Sequence, residues 1–270
     1  MPKGIAFTLL TCLVLGFLTV QAQTVEEIIA NHEQAMGGKE KLNTIRSVYM
    51  EGVSVMQNGN EITSKMTKVH KELMRTEINF GMGSFVMVLT DKAGWSSNPR
   101  NGGKFEPLPE QRVKAAAAEL DCAGPLVDYA AKGHKAELLG KESIEGRETY
   151  KIKLDLSTGN SITYYIDPAT WYIVRDVRTG GMMGGRAGGG PGGSGGEGRS
   201  GGQAGQGRRG GGGQGGQQST EVVTDYSDYA KNADGFIFPF TVKRNGMGGN
   251  TIYEKIEVNK PVDPKLYKAE

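Results

Sequence analysis

The hydrophobic pattern of the chain begins with a helical period. Apolar side chains recur every three to four positions over residues 25–36, which predicts an amphipathic helix with one buried face. Thr24 and Glu27 stand at the spacing of a capping box and mark the start of this helix. Gly37-Gly38 marks its end, because glycine adopts the positive φ of a C-terminal cap at little cost. Residues 39–45 are expected to form a second, shorter helix.

From residue 46 onward the period changes to two, which predicts strands with one buried face. The turn signals Asn58-Gly59-Asn60 and Gly81-Met82-Gly83 each separate two alternating stretches and predict two hairpins. Residues 85–89 are apolar on both faces, so we expect a central strand that is covered on both sides. The predicted strands are 48–57, 61–69, 72–80, 84–90, 136–140, 149–156, 161–167, 171–179, 220–229, 236–243 and 251–258.

The middle of the chain interrupts this strand pattern. Residues 95–108 contain several prolines and glycines and are expected to be irregular, whereas residues 110–120 and 125–132 are expected to be helical. Strands therefore outnumber helices by about three to one. This order of elements predicts an α+β, mostly β fold, in which a strongly curved antiparallel sheet carries the helices on one side.

The first residues have the pattern of an export signal. Lys3 precedes an apolar run over residues 5–20, and small residues at the end of that run predict cleavage before Gln23. The alternative is a retained membrane anchor, but a run of about 16 residues is shorter than the roughly 20 that a spanning helix needs. Lipidation at Cys12 is not favoured, because that cysteine lies early in the run. We therefore expect a signal peptide over residues 1–22, a periplasmic location and no later transmembrane helix.

Glycine dominates residues 180–218, between two predicted strands, so we expect a disordered loop inserted in one domain, 23–270. This loop is interpreted as a solvated insertion; the alternatives are an RGG-like segment around Arg208-Arg209 and weak attraction to acidic lipid surfaces. The formal net charge of +2 comes from Lys3 and from the four arginines of the loop. The remaining body is net negative, which disfavours a nucleic-acid-binding surface.

Candidate catalytic groups are scarce. The sequence contains neither G-x-S-x-G nor a phosphate-binding G-x-x-x-x-G-K-[ST] motif. His32 lies on the apolar stripe of the first helix and is expected to be a core or edge histidine, whereas His70 and His134 are expected to be exposed. None has the spacing of a zinc site. Cys122 is interpreted as a small apolar filler. We therefore expect no catalytic residue, metal or cofactor, and no enzymatic activity.

Large, polarisable apolar side chains are abundant on the predicted strands. Methionine suits surfaces that must fit variable apolar shapes, and a curved sheet closed by few helices can enclose a cavity. An acyl chain buried there would gain about 0.8 kcal/mol per methylene. The alternative is an ordinary hydrophobic core. The candidate cavity residues are Met50, Phe85, Met87, Trp95, Tyr164, Trp171, Phe236, Phe238 and Phe240.

Several motifs are similar to a known family. They are the opening stretch 25–42, Ile45, Met50-Glu51-Gly52, Asp225-Tyr226, Asp234-Gly235-Phe236-Ile237-Phe238-Pro239-Phe240 and the closing stretch 256–263. The chain resembles the LolA/LolB-like superfamily, in particular the outer membrane lipoprotein-sorting protein type of Bacteroidetes-like bacteria. This resemblance implies an unclosed β-barrel with helices on its concave side and an apolar cavity. In the best-understood members the cavity carries the acyl chains of lipoproteins across the periplasm.

The expected function is therefore that of a periplasmic, non-enzymatic carrier or binding protein. Its ligand would be the acyl chains of a lipoprotein or another apolar molecule, with an outer-membrane or envelope protein as a second partner. The alternative is an envelope scaffold or interaction module that uses the same fold without a lipid ligand. A hydrolase is the third and least favoured hypothesis.

Overall fold

One antiparallel sheet contains all thirteen strands of the described chain. The computed structural model describes residues 23–56, 59–179, 221–245 and 249–270. In chain order the strands are β1 (Ser47–Val55), β2 (Glu61–Val69), β3 (Leu73–Asn79), β4 (Ser84–Thr90), β5 (Gly94–Ser97), β6 (Phe105–Pro107), β7 (Lys135–Ile144), β8 (Arg147–Asp155), β9 (Ser161–Ile166), β10 (Ile173–Thr179), β11 (Val222–Lys231), β12 (Ile237–Arg244) and β13 (Asn250–Val258).

Two predictions fall outside the described residues. They are the signal peptide, residues 1–22, and the glycine-rich loop, residues 180–218. The division of the chain into a signal peptide and one domain, 23–270, stays a prediction for the same reason.

The order of the strands places β6 and β7 at opposite edges of the sheet, and the barrel is open between them. The chain runs outward from β1 to β6, crosses to the opposite edge, and returns strand by strand from β7 to β13. There β13 pairs with β1 and joins the two halves. The edge strands β6 and β7 do not pair with each other. The fold is thus the expected α+β, mostly β class, a strongly curved antiparallel sheet that forms an unclosed β-barrel.

Within the described residues, three α-helices cover the concave side of the sheet. Helix α1 (Val25–Ala35) begins with the predicted capping box, in which the Thr24 hydroxyl accepts from the Glu27 amide and the Glu27 carboxylate accepts from the Thr24 amide. Helix α2 is Lys39–Leu42, shorter than predicted, and α3 is Glu110–Ala116. A 3-10 turn, Ala117–Leu120, continues α3.

The core lies between these helices and alternate residues of the strands. From α1, Ile28 packs into a buried cluster with Ile152 and Leu154 of β8. From α3, Val113 packs into another cluster with Met74 of β3. We call the side of the sheet that faces the helices the inner face and the opposite side the outer face. Because side chains alternate along a strand, the strand register assigns each residue to one of them.

The central strand β4 is covered on both sides, as predicted. Met87 and Leu89 point to the inner face, whereas Val88 points to the outer face and is fully buried. Arg75, opposite Val88 on β3, donates from Nη1 to the carbonyl of Lys268 at 2.9 Å. The C-terminal 3-10 turn Pro264–Tyr267 lies against β3 next to this contact. The C-terminus thus covers the outer face here.

The predicted helix at residues 125–132 is wrong. This segment is a series of turns, and Asp128 has a φ of 52° that no α-helix accommodates. The carboxylate of Asp128 bonds to Lys39 and Asn43 next to α2, so a tertiary contact overrides the local helical propensity.

Three further predictions need correction. Residues 95–108 are not simply irregular, because they contain most of β5 and all of β6, and Pro107 is tolerated in β6, an edge strand that pairs on one side only. Strand β7 continues past its predicted end through a bulge between Leu138 and Gly140. Strand β10 begins two residues later than predicted, because Trp171 has a φ of 61°.

Candidate functional site

The inner face of the barrel combines methionines with a few polar groups. Met50, Met66, Thr76 and Met87 form one row across β1, β2, β3 and β4. A second row across the same four strands contains Val48, Lys68, Met74 and Leu89. A charged side chain therefore stands among the apolar residues of the inner face.

The nine candidate cavity residues are divided among several places. Tyr164 and Trp171 belong to the core cluster under α1, whereas Phe85 and Met87 belong to the cluster under α3. Trp95 lies opposite Val88 and thus in an outer-face row, apart from the other eight. The remaining four, Met50, Phe236, Phe238 and Phe240, share the cluster under α2. Their role as a ligand cavity stays a prediction.

Several inner-face side chains are desolvated and yet half-buried. Burial lowers the pKa of Lys68 and raises the pKa values of Tyr226 and Tyr253. Each of the three side chains nevertheless keeps part of its surface exposed. These partly exposed side chains lie on the inner face, in the region between the sheet and the helices. We call this region the hollow.

A polar cluster lies on the inner face of β10 and β11. The Oδ2 atom of Asp176 accepts hydrogen bonds from Arg178 Nη2 at 3.0 Å, Arg178 Nε at 3.2 Å and the Tyr226 hydroxyl at 2.9 Å. Asp176 is 1% exposed, whereas the Arg178 side chain keeps 27% of its surface. Burial opposes the charge on Arg178, but Asp176 together with Tyr226, Tyr164 and Glu119 outweighs it, and the pKa of the guanidinium is raised.

Two buried polar atoms of this cluster have no hydrogen-bond partner in the described chain. They are Asp176 Oδ1 and Thr224 Oγ1, which belong to residues opposite each other on β10 and β11. Leaving a buried polar atom unpaired costs free energy, so such atoms are uncommon. The cluster is therefore incompletely satisfied by the residues that surround it.

The sequence analysis did not identify this cluster. Its signal was the spacing of Asp176 and Arg178, two residues apart on a strand and therefore on one face. Lys68 likewise follows Met66 at a spacing of two. A charged residue that stands two positions from a buried apolar residue of the same strand points to the same face of the sheet, which here is the inside of the barrel.

Each of the three histidines forms a hydrogen bond through its ring nitrogen Nδ1. His32 is buried, and its Nδ1 donates to the carbonyl of Trp171 at 2.8 Å, as expected for a core histidine. The prediction that His70 and His134 are exposed is wrong. His70 Nδ1 accepts from the Cys122 amide at 3.3 Å, and His134, which is buried, accepts from the Ser157 amide at 3.1 Å. Burial lowers the pKa of all three rings.

Cys122 is half-buried between these groups, and burial raises the pKa of its thiol to about 11. The thiol is therefore protonated near neutral pH, the state of a packing residue. Within the described residues there is no cluster of three or more potential metal ligands, and no helix is long and apolar enough to cross a membrane.

A surface cleft of about 470 Å³ lies beside the turn between β2 and β3. Its charged groups largely satisfy one another: Asp121 pairs with Lys132 and lies 3.5 Å from His70, and Asp128 pairs with Lys39. None of the predicted cavity residues lines it. The hollow is therefore the stronger candidate site.

Three of the solved structures to which this chain is similar are those of bacterial proteins. A LolA superfamily protein from Nitrosomonas europaea has a TM-score of 0.49 and 11% identity, over 92% of this chain and 99% of that one. A DUF1329 family protein from Desulfovibrio piger has a TM-score of 0.47 and 12% identity, over 89% and 97%. A domain assigned to outer membrane lipoprotein-sorting proteins, from Vibrio parahaemolyticus, has a TM-score of 0.45 and 9% identity, over 89% and 94%.

One of these proteins belongs by its description to the LolA superfamily, which the sequence motifs resemble. No family model matches the chain. No curated protein matches it either.

Proposed function

We propose that the chain is a non-enzymatic periplasmic carrier or binding protein for lipoprotein acyl chains or another apolar ligand. The observation that supports this most directly is the methionine-rich inner face, on which several side chains between the sheet and the helices stay only half-buried. Met50, Met66 and Met87 supply a flexible apolar wall. Such a wall adapts to chains of different length and branching.

The energy available to such a ligand is large. Each buried methylene contributes about 0.8 kcal/mol, so twelve of them contribute roughly 10 kcal/mol before the costs of ordering the ligand. If the lost freedom of the ligand costs about 4 kcal/mol, about 6 kcal/mol remains, which corresponds to a dissociation constant of roughly 40 μM from apolar contact alone.

Filling the hollow tests the proposal. Thr76 lies on the inner face between Met66 and Met87 and is half-buried, so Thr76→Trp should place an indole where the ligand lies. Thr63, on the outer face of β2, is exposed, and Thr63→Trp is the matched control. We expect the inner-face variant to bind a fluorescent acyl probe at least about tenfold more weakly, while the control binds as the parent does.

The fold of each variant is checked by far-ultraviolet circular dichroism. If Thr76→Trp does not fold, Ser96→Trp provides a second inner-face variant, because Ser96 lies opposite Met87 and is half-buried. Equal probe affinity in the folded inner-face and outer-face variants would contradict a ligand site in the hollow and favour the envelope scaffold alternative.

Export is the second part of the proposal and has its own measurement. The chain purified from the periplasmic fraction should have the mass of residues 23–270, with Gln23 at its N-terminus. A chain that retains residues 1–22, or that remains in the cytoplasm, would contradict the periplasmic location.

A further inference from the structure

A second site for a ligand lies outside the hollow, in the surface cleft beside the turn between β2 and β3. Its volume of about 470 Å³ falls within the range of roughly 300–1,000 Å³ that small ligands occupy. Among the residues that line the cleft, three carry a positive charge and two a negative one; they are Arg46, Lys71, Lys132, Asp121 and Asp128. The cleft therefore has room for a small molecule and an excess of positive charge.

Both carboxylates of the cleft already have partners. Asp121 pairs with Lys132, and its Oδ1 also accepts from the Ala123 amide at 3.1 Å. Asp128 pairs with Lys39, which does not line the cleft. The two remaining cations of the cleft are therefore not neutralised by its own carboxylates.

Arg46 and Lys71 are these two cations. In the part of the chain that the structure describes, neither charged group forms an ion pair or a hydrogen bond, and both residues are exposed. The backbone brings them together, because the His70 amide donates to the Arg46 carbonyl at 2.8 Å and Lys71 follows His70 directly. The two cations thus start from neighbouring backbone positions beside one cleft.

His70 supplies a third donor to the cleft, which its ring lines. The Nδ1 atom accepts from the Cys122 amide at 3.3 Å, so the proton of the neutral imidazole lies on Nε2. This Nε2–H group has no hydrogen-bond partner among the described residues. The cleft thus offers a guanidinium, an ammonium and an imidazole N–H group, all of which donate hydrogen bonds.

The backbone at Lys71 indicates that its side chain has a role. Lys71 has a φ of 61°, in the left-handed region that glycine and asparagine adopt at lower cost. Its amide donates to the Leu120 carbonyl at 2.9 Å, which holds the turn in place. Asp128, with a φ of 52°, lines the same cleft. Residues in this conformation collect at ligand sites, where the surrounding structure holds them.

We propose that the cleft binds a phosphate monoester, with Arg46, Lys71 and the Nε2–H group of His70 as its donors. A phosphate monoester carries about 1.5 to 2 negative charges near neutral pH, which matches two cations better than the single charge of a carboxylate does. The guanidinium fork binds two phosphate oxygens at once, and charge-assisted hydrogen bonds are stronger than neutral ones. The phosphate belongs either to a soluble ester or to the head group of a lipid.

Isothermal titration calorimetry of the mature protein in a phosphate-free buffer tests this proposal, with sn-glycerol 3-phosphate and acetate as the probes. We expect acetate to bind at least about tenfold more weakly than glycerol phosphate. Co-sedimentation with phosphatidylcholine vesicles, with and without phosphatidic acid, examines the lipid source. Binding of glycerol phosphate alone indicates a soluble ester, and binding that requires phosphatidic acid indicates a lipid head group.

Substitutions in the cleft provide the second arm. Arg46→Gln and Lys71→Asn should each weaken binding of the preferred phosphate at least about tenfold. Because asparagine tolerates a φ of 61°, Lys71→Asn should do so without lowering the melting temperature. Lys92→Gln is the matched control, since Lys92 is exposed in the turn between β4 and β5 and its loss removes the same charge. It should bind phosphate as the parent does.

Three results would overturn the proposal. They are no binding of either glycerol phosphate or phosphatidic acid vesicles, acetate binding as tightly as glycerol phosphate, and Arg46→Gln and Lys71→Asn binding as Lys92→Gln does. The last result would mean that phosphate responds to the net charge of the protein and not to this cleft. Since the cleft lies outside the hollow, each of these results leaves the carrier proposal standing.

Discussion

Asp176 is the position where loss of one charge should destabilise the barrel most. Its carboxylate is 1% exposed and accepts three hydrogen bonds on Oδ2, two of them from Arg178. Asp176→Asn preserves the shape of the side chain and removes the negative charge. The guanidinium of Arg178 then loses the carboxylate to which it donates both of its hydrogen bonds.

The magnitude follows from the burial of the pair. Removing one partner of a buried ion pair costs about 3–5 kcal/mol, because the other charge stays desolvated and unpaired. Since Arg178 keeps 27% of its side-chain surface, we expect a loss near the lower end, about 3 kcal/mol. For a domain of this size this corresponds to a fall in melting temperature of roughly 6–12 °C.

Urea unfolding followed by far-ultraviolet circular dichroism measures this loss. The matched control is Asp155→Asn, because Asp155 and Lys153 also stand two residues apart on one strand, with their atoms 2.9 Å apart. Their side chains are 50% and 38% exposed, so the control should lose less than about 1 kcal/mol.

The double variant Asp176→Asn/Arg178→Met completes the test. Because it removes both charges, it should recover at least about 1 kcal/mol relative to Asp176→Asn alone. The reasoning is refuted if Asp176→Asn and Asp155→Asn lose the same stability within about 0.5 kcal/mol.

Three further predictions concern the sheet and its helices. Ile28→Ala should lower the free energy of unfolding in urea by about 3–4 kcal/mol, because Ile28 is fully buried. Ile252→Ala, at a 56% exposed position, should lower it by less than about 0.5 kcal/mol. Equal losses in the two variants would contradict the packing of α1. Gly52→Ala should lower the melting temperature, since its Cβ would lie 2.7 Å from the Ile252 carbonyl oxygen, and an unchanged value would contradict this close approach. Burial lowers the pKa of His32, so the unfolded chain takes up a proton before the folded chain does as the pH falls below about 6.5. The free energy of unfolding of the parent should therefore fall with decreasing pH by up to about 1.4 kcal/mol per pH unit more than that of His32→Asn. Parallel profiles of stability against pH would contradict this.

Local signals predicted most of the fold. The capping box of Thr24 and Glu27 is present as both reciprocal hydrogen bonds, and the apolar run of β4 is covered on both sides. These features depend on neighbours in sequence, and periodicity captures them. The unclosed barrel was implied by the family resemblance of the motifs, which concern caps and strand entries.

The errors arose where distant contacts determine the local structure. Residues 125–132 have a helical composition, but Lys39 and Asn43 hold Asp128 in a non-helical turn. His134 lies among lysines in the sequence and is buried in the fold, where it accepts from the Ser157 amide. No local pattern contains this information.

The polar part of the candidate site was missed for a related reason. Arg178 and Lys68 look like ordinary strand polar residues until the register places them on the inner face. Apolar candidates, by contrast, were identified by residue type alone, which is why the set included Trp95 in an outer-face row. Composition finds apolar side chains, and only the register decides which of them face the hollow.

The most direct test of the account is mass spectrometry of lipids extracted from the mature protein, purified from the periplasm without detergent. The account predicts a lipid or another apolar ligand, bound at about one molecule per chain and lost in Thr76→Trp. A protein that carries no lipid and takes up neither palmitate, hexadecyl phosphate nor methyl palmitate would contradict it.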